Sequence, residues 1–134
     1  MALRKDVVKI DIQENAYVLV YHKFLDIGSG SSIGLYLYNK EFLKFDCFGS
    51  RKGHYHVFNK KTDKRIYFTE KTAKDQIDKS ARELSDNISN YLAMSPNKKI
   101  RDFIFDKNLL TTKIAEAKQI MVGYENKYYA AIRG

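Results

Sequence analysis

Two histidines at alternate positions are the residues of this chain whose types and spacing best suit chemistry. His54 and His56 stand in the segment HYHVF, whose alternation predicts a β-strand with both imidazoles on one face. The earlier segment LKFDCF alternates in the same way and places Asp46 on its polar face. Directly opposed residues of paired strands have Cβ atoms about 4.5–5.5 Å apart, so a carboxylate there can orient an imidazole. The spacing predicts a histidine–aspartate cluster.

The register of the strands follows from matching their apolar faces. This matching places Asp46 across from His56 and His56 across from Tyr67, with His54 one step along the same face. Cys47 falls on the apolar face, which argues against a cysteine nucleophile. We therefore take His54, His56, Asp46 and Tyr67 as the candidate catalytic residues.

Three interpretations fit this cluster. It can be a surface histidine pair that only forms hydrogen bonds across strands. It can catalyse acid–base cleavage of a phosphodiester, in which one imidazole accepts a proton and the other donates one. It can also bind a metal through two histidines and one carboxylate. Cationic neighbours disfavour a divalent cation, so we expect no metal and no other cofactor.

The positive charge of the chain is concentrated around the histidines. The net charge is +8, and residues 48–71 contribute +5 of it, from seven Lys or Arg against two Asp or Glu. Such a field favours RNA or another phosphate-bearing ligand, although a solvated basic surface is the plainer explanation. The candidate nucleic-acid-binding residues are Arg51, Lys52, Lys60, Lys61, Lys64 and Arg65.

Composition indicates one globular domain over residues 1–134. A single cysteine excludes an internal disulfide framework and a cysteine-rich zinc site. The sequence has no signal-peptide pattern and no apolar run that approaches the roughly 18 residues of a membrane span. We expect a protein of the cytoplasm without membrane contact.

The order of the elements predicts an α+β fold. A sheet over residues 6–69 is expected to form an antiparallel meander of about five to six strands. The glycine- and serine-rich residues 26–34 read as a linker or mobile lid between strands, because they lack the order of a phosphate-binding loop. Amphipathic helices are predicted over residues 72–94, 98–105 and 108–131, and the first begins at a capping box formed by Thr72 and Asp75.

The last predicted helix has an unbroken apolar stripe. Its members repeat at intervals of four and three, from Leu110 through Ile114, Ala117 and Met121 to Ala131. The stripe can belong to the core of the chain, or it can form the seam of a homodimer. Both interpretations are open at this stage.

Four short motifs resemble the TumE-type toxins of bacterial toxin–antitoxin pairs. They are LYLY at residues 35–38, KFD at 44–46, GHYH at 53–56 and the amphipathic helix at 75–91. The resemblance covers residues 35–92 and implies a small toxin that acts on RNA and is neutralised by a cognate protein partner. The alternative is an uncharacterised small α+β family of bacterial or phage origin built around FDCFG and GHYHV.

Two functional hypotheses follow from the sequence. The first is a metal-independent ribonuclease or phosphodiesterase centred on the histidine pair. The second is a non-catalytic module that binds nucleic acid or a protein partner through the same basic face and is dimeric through its last helix.

Overall fold

A six-stranded antiparallel sheet and the helices packed against one of its faces make up the fold. The computed structural model describes residues 3–26, 28–58 and 63–129, without the side chains of residues 63, 64 and 129. The strands, in both sequence and spatial order, are β1 (Leu3–Gln13), β2 (Ala16–Leu25), β3 (Gly28–Leu37), β4 (Lys40–Cys47), β5 (His54–Phe58) and β6 (Asp63–Tyr67). The predicted α+β class and antiparallel meander are confirmed.

Within the described residues, four α-helices and a π-helix follow the sheet. They are α1 (Ala73–Asp86), α2 (Ile88–Ala93), α3 (Lys98–Arg101), α4 (Lys107–Tyr124) and the π-helix (Glu125–Tyr129). The predicted cap of α1 is confirmed, since the Thr72 hydroxyl accepts a hydrogen bond from the Asp75 amide at 3.1 Å. The helix predicted over 72–94 is divided at Asn87, and the one predicted over 98–105 is a single turn. None of the described helices is long and apolar enough to cross a membrane.

Strand β3 corrects the interpretation of residues 26–34 as a linker or lid. All of its residues pair with β2, from Gly28 opposite Leu25 to Leu37 opposite Ala16. A glycine-rich segment forms a strand here because the neighbouring chain comes very close. A Cβ on Gly30 would overlap the carbonyl of Cys47 in β4. The small residues therefore mark a close approach of two strands.

The register of β4, β5 and β6 differs from the prediction by two residues. Asp46 lies opposite His54, and His56 lies opposite Lys44, so the predicted pairing of Asp46 with His56 is wrong. Tyr67 likewise lies opposite His54, and the predicted pairing with His56 is also wrong. Because the shift is an even number, every side chain keeps its predicted face of the sheet.

The apolar core lies between the sheet and the helices. Val18, Val20, Ile33, Leu35 and Phe45 project from the central strands and are at most 2% exposed. Ile77 and Leu84 of α1 meet them, and Cys47 is buried on this face as predicted.

The stripe of α4 also belongs to this core. Leu110, Ile114, Ala117 and Met121 are at most 2% exposed within a single chain, whereas residue 131 lies outside the described residues. Of the two interpretations of this stripe, the burial of these four residues supports the core of the chain, because they pack against its own sheet and α1. The expectation of a homodimer loses the surface on which it depended.

Candidate functional site

The carboxylate of Asp46 is the centre of a buried polar cluster on the sheet face opposite the described helices. Its Oδ1 accepts a hydrogen bond from the Ser32 hydroxyl at 2.6 Å. Its Oδ2 lies 3.2 Å from Nε2 of His54, 3.6 Å from Nζ of Lys23 and 3.9 Å from Nε2 of His56. We call these five residues the buried polar cluster. Three of them, Asp46, His54 and His56, were predicted to lie together, and they do.

Burial and charge act in opposite directions on this cluster. Burial alone would raise the pKa of the Asp46 carboxyl, but the hydrogen bond from His54, the charge of Lys23 and the Ser32 hydroxyl together lower that pKa to about 2. Burial lowers the pKa of Lys23, and the charge of Asp46 counteracts this effect. The carboxylate is therefore ionised at neutral pH and compensated by cations around it.

The hydrogen bonds of His54 restrict its chemistry. Its Nδ1 lies 2.9 Å from the carbonyl oxygen of Lys52, and a carbonyl can only accept, so Nδ1 carries a proton. Nε2 is then left to face Asp46. At 3.2 Å from Oδ2, Nε2 occupies the position from which a ring nitrogen can interact with the carboxylate or bind a metal ion.

Three of these side chains could hold a metal. One ligand atom each from Asp46, His54 and His56 lies within 4.8 Å of the others, which is close to a two-histidine, one-carboxylate set. The ammonium group of Lys23 lies at the same carboxylate oxygen and would compete with a cation there. The donor set therefore fits a metal in number and type, but its charge is already balanced.

Alternating small residues on β3 make room for the cluster. Gly30, Ser32 and Gly34 point toward the face without helices, so the long side chains of β2 and β4 can close over that strand. As a result, Lys23 is only 7% exposed and Asp46 is fully buried. No helix among the described residues lies over them. The sheet covers its own polar cluster.

Gln76 of α1 fixes the loop that joins β4 to β5. Its Oε1 accepts a hydrogen bond from the Gly49 amide at 2.9 Å, and its Nε2 donates to the carbonyls of Ser50 and Glu70. The loop also has its own turn, in which the amides of Lys52 and Gly53 donate to the Gly49 carbonyl. Residues 47–53 connect the last paired residues, Asp46 and His54, so this loop is two residues longer than predicted and the register differs by two residues.

The same sheet face, which we call the open face, carries cations and aromatic rings around the cluster. Arg4, Lys9, Lys44 and Arg65 project from it and are exposed or half-buried. Tyr17 and Tyr36 stack at 4.9 Å with an interplanar angle of 5°. The acidic side chains Asp11 and Glu41 also lie on this face, and Asp11 pairs with Lys9 at 3.7 Å. The open face is a basic surface with half-buried aromatic rings.

The other predicted site residues have varied positions. Tyr67 is 56% exposed, with its ring 5.8 Å from that of His54. Arg51 and Lys52 are exposed in the β4–β5 loop, and Arg65 is exposed opposite His56. Lys60 and Lys61 lie outside the described residues, as does the side chain of Lys64.

Sequence reasoning missed Ser32, Lys23 and Gln76. Ser32 lay in the segment interpreted as a linker, so it had no predicted face. Continuing the alternation of β2 past His22 would have placed Tyr21 and Lys23 together on the polar face. No pattern in the sequence singles out Gln76, since its role depends on where α1 packs.

The chain matches one known protein family. Residues 7–121 match the family model described as a domain of unknown function (DUF7700), which is most of the chain. The comparisons with curated proteins and with solved structures give no match. On the strength of the family match, which takes in all of β2 to β6 and helices α1 to α3, the chain belongs to the DUF7700 family.

Proposed function

We propose that this protein binds single-stranded nucleic acid, most directly RNA, on the open face of its sheet. One observation supports this proposal above the others: cationic side chains, the half-buried Tyr17 and Tyr36 and the exposed Tyr67 lie together on a sheet face that no described helix covers. Lysine and arginine neutralise phosphates, and aromatic rings stack on bases of any sequence.

The burial of the histidines favours binding over cleavage. His54 and His56 are 3% and 5% exposed, and Asp46 has no exposed surface. A general acid or base must lie within hydrogen-bonding distance of the substrate atom that exchanges the proton. In the binding proposal, the buried polar cluster instead fixes the strands that present Lys44 and Arg65.

The test is fluorescence anisotropy with a labelled single-stranded RNA of about twelve nucleotides, a length that spans a face of this kind. Lys44→Ala and Arg65→Ala should each weaken binding about fivefold to tenfold. Each should also reduce the slope of log affinity against log salt by about 0.7, the value for one lost phosphate contact on a single strand. The matched control is Lys113→Ala on α4, which should bind like the unmodified protein.

Three outcomes have defined meanings. Equal affinity in all three variants would refute an interface on the open face. Binding that is insensitive to salt would also refute it. Cleavage of the RNA that persists with a chelator and disappears in His54→Ala and His56→Ala would replace binding with the ribonuclease hypothesis.

A cytoplasmic location and a neutralising protein partner remain predictions from the sequence.

A further inference from the structure

A separate cavity lies at the end of the sheet where α1 begins. Its volume is about 670 Å³, which is within the range of small-molecule sites. Strand β2, the start of β3, the β4–β5 loop, the first turn of α1 and the π-helix all contribute to its wall. Neither Asp46 nor His56 lines it, so it is distinct from the buried polar cluster.

The rim of the cavity suits a phosphate group. Thr72, Ala73 and Lys74 line it at the first turn of α1, a helix of 14 residues, where amide N–H groups point out of the helix end. Lys52 and Lys71 also line it and are exposed. Three lysines therefore surround a helix N-terminus, which is the arrangement that binds phosphate.

The floor of the cavity provides a second, independent indication of a ligand. His22 is 2% exposed, it lines the cavity, and its Nδ1 has no hydrogen-bond partner among the described residues. A buried polar atom without a partner is uncommon in a folded protein. The floor of the cavity therefore holds a buried polar side chain whose hydrogen bonding the described residues leave incomplete.

Aromatic and acidic side chains complete the floor. The ring of His22 lies 4.1 Å from that of Tyr128, and Phe48 lines the same space. Glu125 is the acidic side chain there, and burial raises the pKa of its carboxyl, so it is more readily neutral near an anion. Burial likewise lowers the pKa of His22, although Asp6 counteracts this effect. A planar, hydrogen-bonding heterocycle fits such a floor.

We propose that this cavity binds a mononucleotide, with its phosphate at the first turn of α1 and its base against His22, Phe48 and Tyr128. The positive charge of the rim binds the phosphate of such a ligand, and the aromatic floor binds its base. A nucleoside lacks the first interaction, and inorganic phosphate lacks the second. The site acts independently of the open face.

Calorimetric titration of the full chain with AMP, adenosine and inorganic phosphate tests this proposal. AMP should bind with one-to-one stoichiometry, and each of the two fragments should bind at least about tenfold more weakly. The double variant Lys71→Ala/Lys74→Ala removes exposed side chains and should lower AMP affinity about tenfold or more. Lys113→Ala is the matched control and should leave AMP binding unchanged.

A second variant examines the floor. His22→Phe keeps a packed ring but removes the unpartnered nitrogen, and it should weaken AMP and adenosine while leaving phosphate binding unchanged. Absence of saturable AMP binding at concentrations on the order of 10 mM would overturn the proposal. It would also be overturned if AMP and inorganic phosphate bound equally well, or if the rim variant bound AMP like the control. RNA binding by the rim variant reports on the open face, so the two proposals can fail separately.

Discussion

Replacing Asp46 by asparagine measures how much the buried carboxylate stabilises the fold. The pKa of this carboxyl is lowered from 3.8 to about 2, because His54, Lys23 and Ser32 favour the ionised form more than burial opposes it. At about 1.4 kcal/mol for each pH unit, this difference corresponds to about 2 kcal/mol of folding free energy at neutral pH. Asp46→Asn should lose about that amount.

The pH dependence of this loss has a definite sign. Since the pKa is lower in the folded protein, the unfolded chain takes up the proton first as the pH falls. The stabilisation is therefore complete above about pH 5 and declines between about pH 4 and pH 2. The difference between the unmodified protein and Asp46→Asn should shrink to less than about 0.5 kcal/mol at pH 2.

Urea unfolding followed by circular dichroism at several pH values is the assay. Asp11→Asn is the matched control, because this aspartate is exposed and its ion pair with Lys9 should contribute between about 0 and 1 kcal/mol. A difference for Asp46→Asn that stays constant from pH 7 to pH 2 would refute the reasoning. Adding Lys23→Met should recover part of the loss, because it removes the cation left without its partner.

Three further perturbations probe the packing around the site. Burial raises the pKa of the Cys47 thiol, so iodoacetamide at pH 8 should modify it only as fast as the chain unfolds, and rapid labelling of folded protein would contradict this. Ile114→Asp buries a charge in the core and should unfold the chain, as measured by a thermal melt. Ala115→Asp is the control at an exposed position and should leave the melting temperature nearly unchanged. A folded Ile114→Asp monomer would instead support the dimer seam. Gly53→Ala should cost about 1–3 kcal/mol in urea unfolding, because a Cβ there would overlap the Gln76 side chain; an unchanged midpoint would show that Gln76 does not hold the loop.

The faces of the strands could be predicted from the sequence, but their exact pairing could not. Alternation places Asp46, His54 and His56 on one face for any even register, so the cluster was found although its pairing was not. The pairing depends on the β4–β5 loop, whose geometry is set by Gln76 of α1. A contact between distant segments is not visible in the local pattern.

The partners of Asp46 were harder to predict for a related reason. Ser32 belongs to a strand whose glycines suggest a loop, and only the close approach of Gly30 to β4 explains why they stand in a sheet. Burial of the histidines was also beyond the pattern, since alternation indicates a face and not what covers it. The cavity beside α1 joins five separate segments and leaves no signal in any one of them.

The sequential order of the strands has a consequence for how the chain folds. Every strand pairs with its neighbour in sequence, so the sheet can grow hairpin by hairpin from local contacts. We expect its apolar face to close later, when the carboxy-terminal segments return to β1. These late contacts include the Gln13 side chain with the Ile104 carbonyl and the Tyr124 hydroxyl with the Asp6 carbonyl, which span 91 and 118 residues. We expect docking of α4 to be the last folding step, and chains that stop before residue 107 to aggregate through the uncovered sheet.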